Sequence, residues 1–345
     1  MITGHLIKPR LILTVDVEED RKDEPGSVTI HNLDCLGSFH ELCMRFRVRP
    51  TYLCTYEAIR SDAFARFLDR YGADGYEVGI HLHPWSNPPL VEIDRSGAHP
   101  YPYEYPLNIF REKLEVLVQT AKERGIVPRA YRAGRYGFSP DHIPILKELG
   151  LDVDCSVTPF VSWKRSLGYM SGGPDYRGFA PWPFLWDSKD VKVKEGWGGG
   201  ILEVPITILP IPRRVGGNYR LMVWLNSIKR LLPAPVANRL CPHIAWLRPL
   251  PQVPYEVLQG VIDCGIRYRL PALVMFLHSN ELCEDCNPYF PSRQEVEHLQ
   301  NVLEKAFSYA QELDITSVTI SDFAKFFGDS GIRKDEKAQS LSDRQ

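Results

Sequence analysis

The chain has 345 residues, with 41 basic against 43 acidic side chains and a formal net charge of −2. Hydrophobic content of 44% and charged content of 24% are values of a globular protein with a sizeable core, and they exclude a disordered or fibrous chain. So even a balance gives no basic stripe for nucleic acid and no acidic solvating tail.

The first residues, Met1 to Arg10, lack the basic stretch followed by about 7–15 apolar residues of an export signal. No apolar run approaches the roughly 18–20 residues of a membrane helix. The eight cysteines are scattered, several of them inside apolar segments, so reduced thiols in the cytoplasm are expected. Cys283-Glu284-Asp285-Cys286 is a lone CxxC with no second ligand pair, and an ordinary loop is expected there.

Ile7 to Val15 reads as a buried strand that turns acidic at its end, Asp16-Val17-Glu18-Glu19-Asp20. A helix is predicted over 31–47 and a strand over 51–54. A second helix over 61–71 takes Ser61 or Asp62 as its N-cap. The strand over 76–81 runs into His81-Leu82-His83-Pro84-Trp85. In an extended chain residues i and i+2 point the same way, so both imidazoles aim at one point. Converging imidazoles at a strand end suggest a metal site; the plain alternative is two polar residues on a solvent face. After a Pro/Tyr-rich loop, helix 107–124 closes at Gly125. Ala130 to Arg132 is a short strand leading to Ala133-Gly134-Arg135-Tyr136-Gly137. Helix 140–149 and strand 151–155 follow.

Residues 156–200 read as irregular, with Trp182, Trp186 and Trp197 as core or as a sugar-stacking lid. A strand is predicted over 201–205, helices over 220–231 and 255–269, and an apolar strand over 273–277 ending in His278. Helix 292–313 opens with the capping box Ser292–Glu295. A last strand over 315–318 and a helix over 321–327 precede a polar tail, 329–345, expected to be disordered. Strands alternating with helices imply a parallel α/β arrangement, and continuous apolar strands imply a sheet covered on both faces. One domain over 1–328 is expected, with Pro/Trp-rich insertions near 86–106 and 156–250. Asp16 and Glu18, His81 and His83, Arg132 and Arg135, and His278 all stand just past apolar strands. In parallel α/β barrels that is the rim where active sites are built.

Thr14-Val15-Asp16-Val17-Glu18, His81-Leu82-His83, Arg132-Ala133-Gly134-Arg135-Tyr136 and Phe276-Leu277-His278-Ser279 occur in the order used by the polysaccharide deacetylase family, the NodB-type carbohydrate esterase family 4. The chain resembles a divergent branch of it over roughly residues 7–328. The resemblance implies a distorted (β/α) barrel of about seven parallel strands. It implies Asp16 as general base, His278 as general acid and Arg132 as the residue that orients the base. Glu18, His81 and His83 become the metal ligands. Val17 stands where the family's second acid usually sits, and the histidines are closer together than usual. Trp85, Arg135 and Tyr136 are candidate substrate-binding residues on the same rim.

The implied function is a metal-dependent hydrolase, with a divalent ion (Zn, or Co, Ni or Fe), acting on the linear amide of an N-acylated sugar or glycan precursor. Surface-polysaccharide biosynthesis is the expected setting, and a cyclic-amide hydrolase is a variant of the same class. The alternative is a catalytically inactive carbohydrate-binding or scaffold protein on the same barrel. A sugar isomerase would need further carboxylates at the strand ends, where Glu203 alone is found.

Overall fold

A computed structural model describes residues 8–21, 28–72, 75–186, 200–212 and 218–329. Its strands are β1 (Arg10–Val17), β2 (Pro50–Cys54), β3 (Glu77–Leu82), β4 (Ala130–Ala133), β5 (Val153–Asp154), β6 (Phe184–Trp186), β7 (Ile201–Glu203), β8 (Ile208–Ile211), β9 (His243–Trp246) and β10 (Ala272–His278). The helices are α1 (Leu36–Arg45), α2 (Tyr56–Arg60), α3 (Asp62–Tyr71), α4 (Leu107–Glu123), α5 (Ile143–Glu148), α6 (Tyr219–Ile228), α7 (Ala234–Leu240), α8 (Tyr255–Arg267), α9 (Arg293–Glu312) and α10 (Ile320–Asp329).

One eight-stranded sheet runs in the order β10-β1-β2-β3-β4-β5-β7-β6. Seven of its strands are parallel; β6 alone pairs antiparallel, with β7. β8 and β9 form a separate antiparallel pair. It lies along the outer edge of β10, where Val274 O accepts from Thr207 N at 3.2 Å and Phe276 N donates to Leu247 O at 3.3 Å. The result is the distorted, incompletely closed barrel that the family resemblance implied, built on the parallel α/β arrangement read from the strand pattern.

Strand alternation decides what faces the barrel axis. Along β1, Leu11, Leu13, Val15 and Val17 pack outward into the large core shared with the surrounding helices. Ile12 faces inward, among Leu53, Ala130, Leu202 and Val274. Ile320, Phe323 and Phe327 of α10 join this inner cluster and plug the end of the barrel where the strands begin. Thr14, Asp16 and Glu18 continue the inward face toward the opposite end, so the axis grades from apolar floor to ionisable rim. Gly79 sits on the inner side of β3. A Cβ there would meet the Ala130 carbonyl and the Leu53 side chain at 2.7 Å, so only glycine allows this approach.

Helix ends follow local chemistry. Ser61 caps α3 by accepting from Phe64 N, and Ser292 with Glu295 forms the capping box of α9. Gly125 takes φ +75° after α4. Several expectations need correction. Residues 31–35 form a 3-10 turn before α1, and α2 and α7 lie in stretches read as loop. Residues 315–318 make only a bridge to Leu11, at Ser317, instead of a strand. β6 lies in the 156–200 region read as irregular, and β8 and β9 lie further along the 156–250 insertion, where no strand beyond 201–205 was expected. Trp182 and Trp186 pack against the core rather than forming a lid, while Trp197 and the tail beyond 329 lie outside the described residues. Reduced thiols do not hold throughout. Cys35 and Cys283, 248 residues apart, are joined by a disulfide that ties the 31–35 turn to the loop after β10. No helix among the described residues is long and apolar enough to cross a membrane.

Candidate metal centre

Sheet register sets the site. Asp16 lies opposite His278 on β10, and His81 lies opposite Arg132 on β4. Arg132 is fully buried. Its Nη1 bonds Asp16 Oδ1 at 2.5 Å, its Nη2 Thr14 Oγ1 at 3.0 Å and its Nε the Cys155 carbonyl at 2.9 Å. With all three nitrogens engaged, the guanidinium holds Asp16 in one orientation.

Glu18, His81 and His83 come together, all three buried. The two Nε2 atoms are 2.9 Å apart, and Glu18 Oε2 lies 3.4 Å from His83 Nε2 and 3.8 Å from His81 Nε2. Each imidazole is oriented from its other nitrogen. His81 Nδ1 is 3.1 Å from the Arg132 carbonyl, which only accepts, so that nitrogen carries the hydrogen. His83 Nδ1 is 2.9 Å from Glu19 Oε2. Two facing Nε2 lone pairs at 2.9 Å repel unless a proton or a cation lies between them. Two imidazole nitrogens and a carboxylate oxygen, all within 4.8 Å of one another, are donors that a divalent cation would take. The donor set therefore fits a divalent metal.

Charge around these three residues is arranged in the same sense. Burial opposes ionisation of Glu18, but His278, Arg21 and the neighbouring imidazoles of His81 and His83 hold it well below the usual carboxylate range. Asn280 Nδ2 donates to its Oε1 at 3.1 Å, leaving Oε2 to the imidazoles. Burial lowers His83, yet the Glu19 and Glu18 carboxylates outweigh it and push the ring up to about 10. A metal would displace that proton, since it takes neutral imidazole.

Across the rim stands His278. Its Nδ1 lies 3.0 Å from Glu281 Oε1 and 3.1 Å from Arg248 Nη2, and Arg248 also pairs with Glu281. Its Nε2 faces the site, 3.8 Å from Glu18 Oε1 and 3.5 Å from Arg21 Nη2. Burial opposes charge on Glu281, but Arg248 and His278 hold it down to about 2.

The remaining expected residues divide. Trp85 stacks on His83 at 4.3 Å and on His99 at 4.8 Å, tying the metal-site ring to the loop that carries His99. Arg135 turns to the neighbouring loops, bonding Ser166 Oγ, the Leu167 carbonyl and the His99 carbonyl. Tyr136, in a left-handed conformation at φ +62°, stacks on Trp163 at 5.1 Å and lies edge-on to Phe276. Gly134 is required: a Cβ would approach the Leu82 carbonyl to 2.3 Å and press on the His83 ring. Glu19, Arg21, Arg248 and Glu281 were not found from the sequence. Glu19 alone carried a signal there, as part of the acidic run after β1.

Nor does Glu203 stand alone. Asp154 is its register partner, both are fully buried, and burial pushes both carboxyl groups up. Ser156 Oγ donates to Asp154, while Val157 N and Trp186 Nε1 donate to Glu203. The pair is sealed behind β5 and β7 and braces them.

No protein-family model matches the chain, and no curated protein matches it in sequence. Solved structures match its fold. A protein from Parabacteroides distasonis, assigned by inference as a glycoside hydrolase/deacetylase, aligns at a TM-score of 0.55 and 11% identity, covering 93% of this chain and 71% of that one. A Mycobacterium smegmatis protein, assigned by inference as a polysaccharide deacetylase, aligns at 0.54 and 13%, covering 94% and 92%. The Puue allantoinase aligns at 0.51 and 12%, covering 96% and 93%.

Proposed function

We propose that this chain, which shares the fold of polysaccharide deacetylases, is a metal-dependent hydrolase that removes an N-acyl group, acetyl or formyl, from a sugar or glycan precursor. One observation carries the reading: Glu18, His81 and His83 converge at the barrel rim with both Nδ1 atoms already committed elsewhere. Fold likeness at 11–13% identity supports the architecture, and the chemistry rests on the site.

In this reading Glu18, His81 and His83 hold the ion. Once bound, a divalent ion polarises the acyl carbonyl and lowers the pKa of a water. Asp16, fixed by Arg132 and 3.8 Å from His81 Nε2, accepts the water's proton at Oδ2. His278 Nε2 faces the same space and delivers a proton to the departing amine nitrogen, with Glu281 orienting it from Nδ1. Trp85 acts by holding His83, and Tyr136 lines the substrate side. Arg135 acts on the loops that frame the cleft. The convergence of Glu18, His81 and His83 favours this reading over the inactive-scaffold alternative, and metal content discriminates between the two.

The finer assignments complete the proposal: zinc as the ion, a role in surface-polysaccharide biosynthesis, and a cytoplasmic location. The Cys35–Cys283 disulfide pulls against the last, because disulfides persist in oxidising compartments. The test is metal analysis of the purified protein together with acetate and formate release from N-acyl sugars. About one ion per chain is expected, lost in His81→Ala together with activity. Absence of bound metal after loading, with His81→Ala unchanged in metal content and thermal stability, overturns the proposal.

A further inference from the structure

From Val204 to Tyr255 the chain contains seven arginines and lysines and no aspartate or glutamate. A net charge of −2 for the whole molecule hides this segment. Its outer part is α6, the turn 229–231 and α7. That unit is anchored from one side: Met222 and Ala237 are buried, and Leu225 packs partly buried against the core. Its other side is apolar and open to solvent. Leu221, Trp224 (56% exposed), Leu231 (82% exposed), Val236 and Leu240 all stand out. Arg220, Arg230 and Arg239 stand exposed among them. Solvent-exposed apolar patches of this kind mark interaction sites.

We propose that this face docks on the surface of an anionic lipid bilayer. Charge complementarity selects that partner. A bilayer surface rich in anionic headgroups offers uniform negative charge above an apolar layer, and this face offers Arg220, Arg230 and Arg239, none of them in an ion pair among the described residues, set around tryptophan and leucine. Such a helix lies in the interface rather than across it. The ten residues of α6 are too few to span, in keeping with the absence of any spanning helix among the described residues. The same acid-free segment continues through β8 and β9 to Arg248, which contacts His278. A chain docked there holds Arg248, the contact of His278, on the segment that meets the membrane. The inference does not depend on the hydrolase reading.

Co-sedimentation of the full chain tests it, with vesicles of phosphatidylcholine alone and of phosphatidylcholine mixed with phosphatidylglycerol. Binding to the mixed vesicles and not to the neutral ones is expected, weakening as salt rises. Trp224→Ser with Leu231→Ser should weaken it about ten-fold. Arg230→Gln with Arg239→Gln, which keeps the apolar side chains, should also weaken it, and far-UV circular dichroism checks that each double variant remains folded. Failure to sediment with either vesicle overturns the proposal, as does binding that both double variants leave unchanged. Concentration-dependent self-association relieved by Trp224→Ser and Leu231→Ser would assign the face to a second copy instead. RNA that binds this face in preference to the vesicles would likewise overturn it.

Discussion

At the scale of single residues, the arrangement of the imidazoles matters as much as their presence. Glu19 bonds His83 Nδ1 and also accepts from Ser86 Oγ at 3.1 Å, so it fixes the ring without touching the proposed ion. Glu19→Gln is expected to weaken zinc binding by about 10–100-fold while leaving the fold intact, as competition with a chromophoric chelator will show. His142 makes a different prediction. Its ring stacks on Phe110 at 3.7 Å, its Nδ1 has no hydrogen-bond partner, and burial pulls its pKa from 6.5 down to about 3. Between those values the unfolded chain binds a proton that the folded chain refuses. Stability from the neutral ring is therefore complete above about pH 6.5 and falls as the pH drops toward 3. From pH 6.5 to 5 the loss is about 2 kcal/mol, and urea unfolding of His142→Gln should show a pH dependence smaller by that amount. The histidine pair was legible in the sequence because strand period two places His81 and His83 on one side, as it does Asp16 and Glu18. Arg21 and Arg248 were not, because nothing local says that residues 21 and 248 converge on His278; Glu281 stands only three residues beyond it, but strand periodicity does not show that the turn after β10 folds its carboxylate back onto the ring.

At the scale of elements, strands with unbroken apolar character were readable, and short ones carrying proline were not. β1, β3 and β10 announced themselves; β8 contains Pro210 and survives only as half of a two-stranded pair. Loop shape was also hidden. Lys113, buried on α4, donates from Nζ to the carbonyls of Pro84, Asn87 and Pro89 and pairs with Asp94 at 2.9 Å. It thereby holds the loop that follows His83, a role no periodicity could suggest. α10 shows what packing adds to a short amphipathic pattern. Phe323 is fully buried in the floor of the barrel, remote in register from Glu18 and His81. Phe323→Ala should cost about 3–5 kcal/mol in denaturant unfolding, with the metal content of the folded fraction unchanged.

At the scale of the whole molecule, alternating elements were enough to imply a parallel α/β arrangement, the motif resemblance added the distorted barrel, and four strand ends suggested a shared rim. What the alternation could not show is which distant loops are fastened together. The Cys35–Cys283 bond joins two loops that flank Glu18 and His278. Cys35→Ser is expected to lower stability by about 2–4 kcal/mol, measured against the oxidised parent, and added reductant should remove the difference. Peptide mapping without reduction will find the two segments linked in the parent alone.

The pairing of β1 with β10 also has a consequence in time. Arg10 lies opposite Ala272 in the sheet, so β1 emerges from the ribosome long before the strand that will cover one of its edges. At about 5–20 residues per second, the wait is on the order of tens of seconds. During that interval β1 is an apolar strand with an unsatisfied backbone edge, the kind that recruits other chains. The nascent protein is thus most vulnerable to aggregation through the strand that later carries Asp16. Yield in the cell should depend more on protection of that early intermediate than on the stability of the finished barrel.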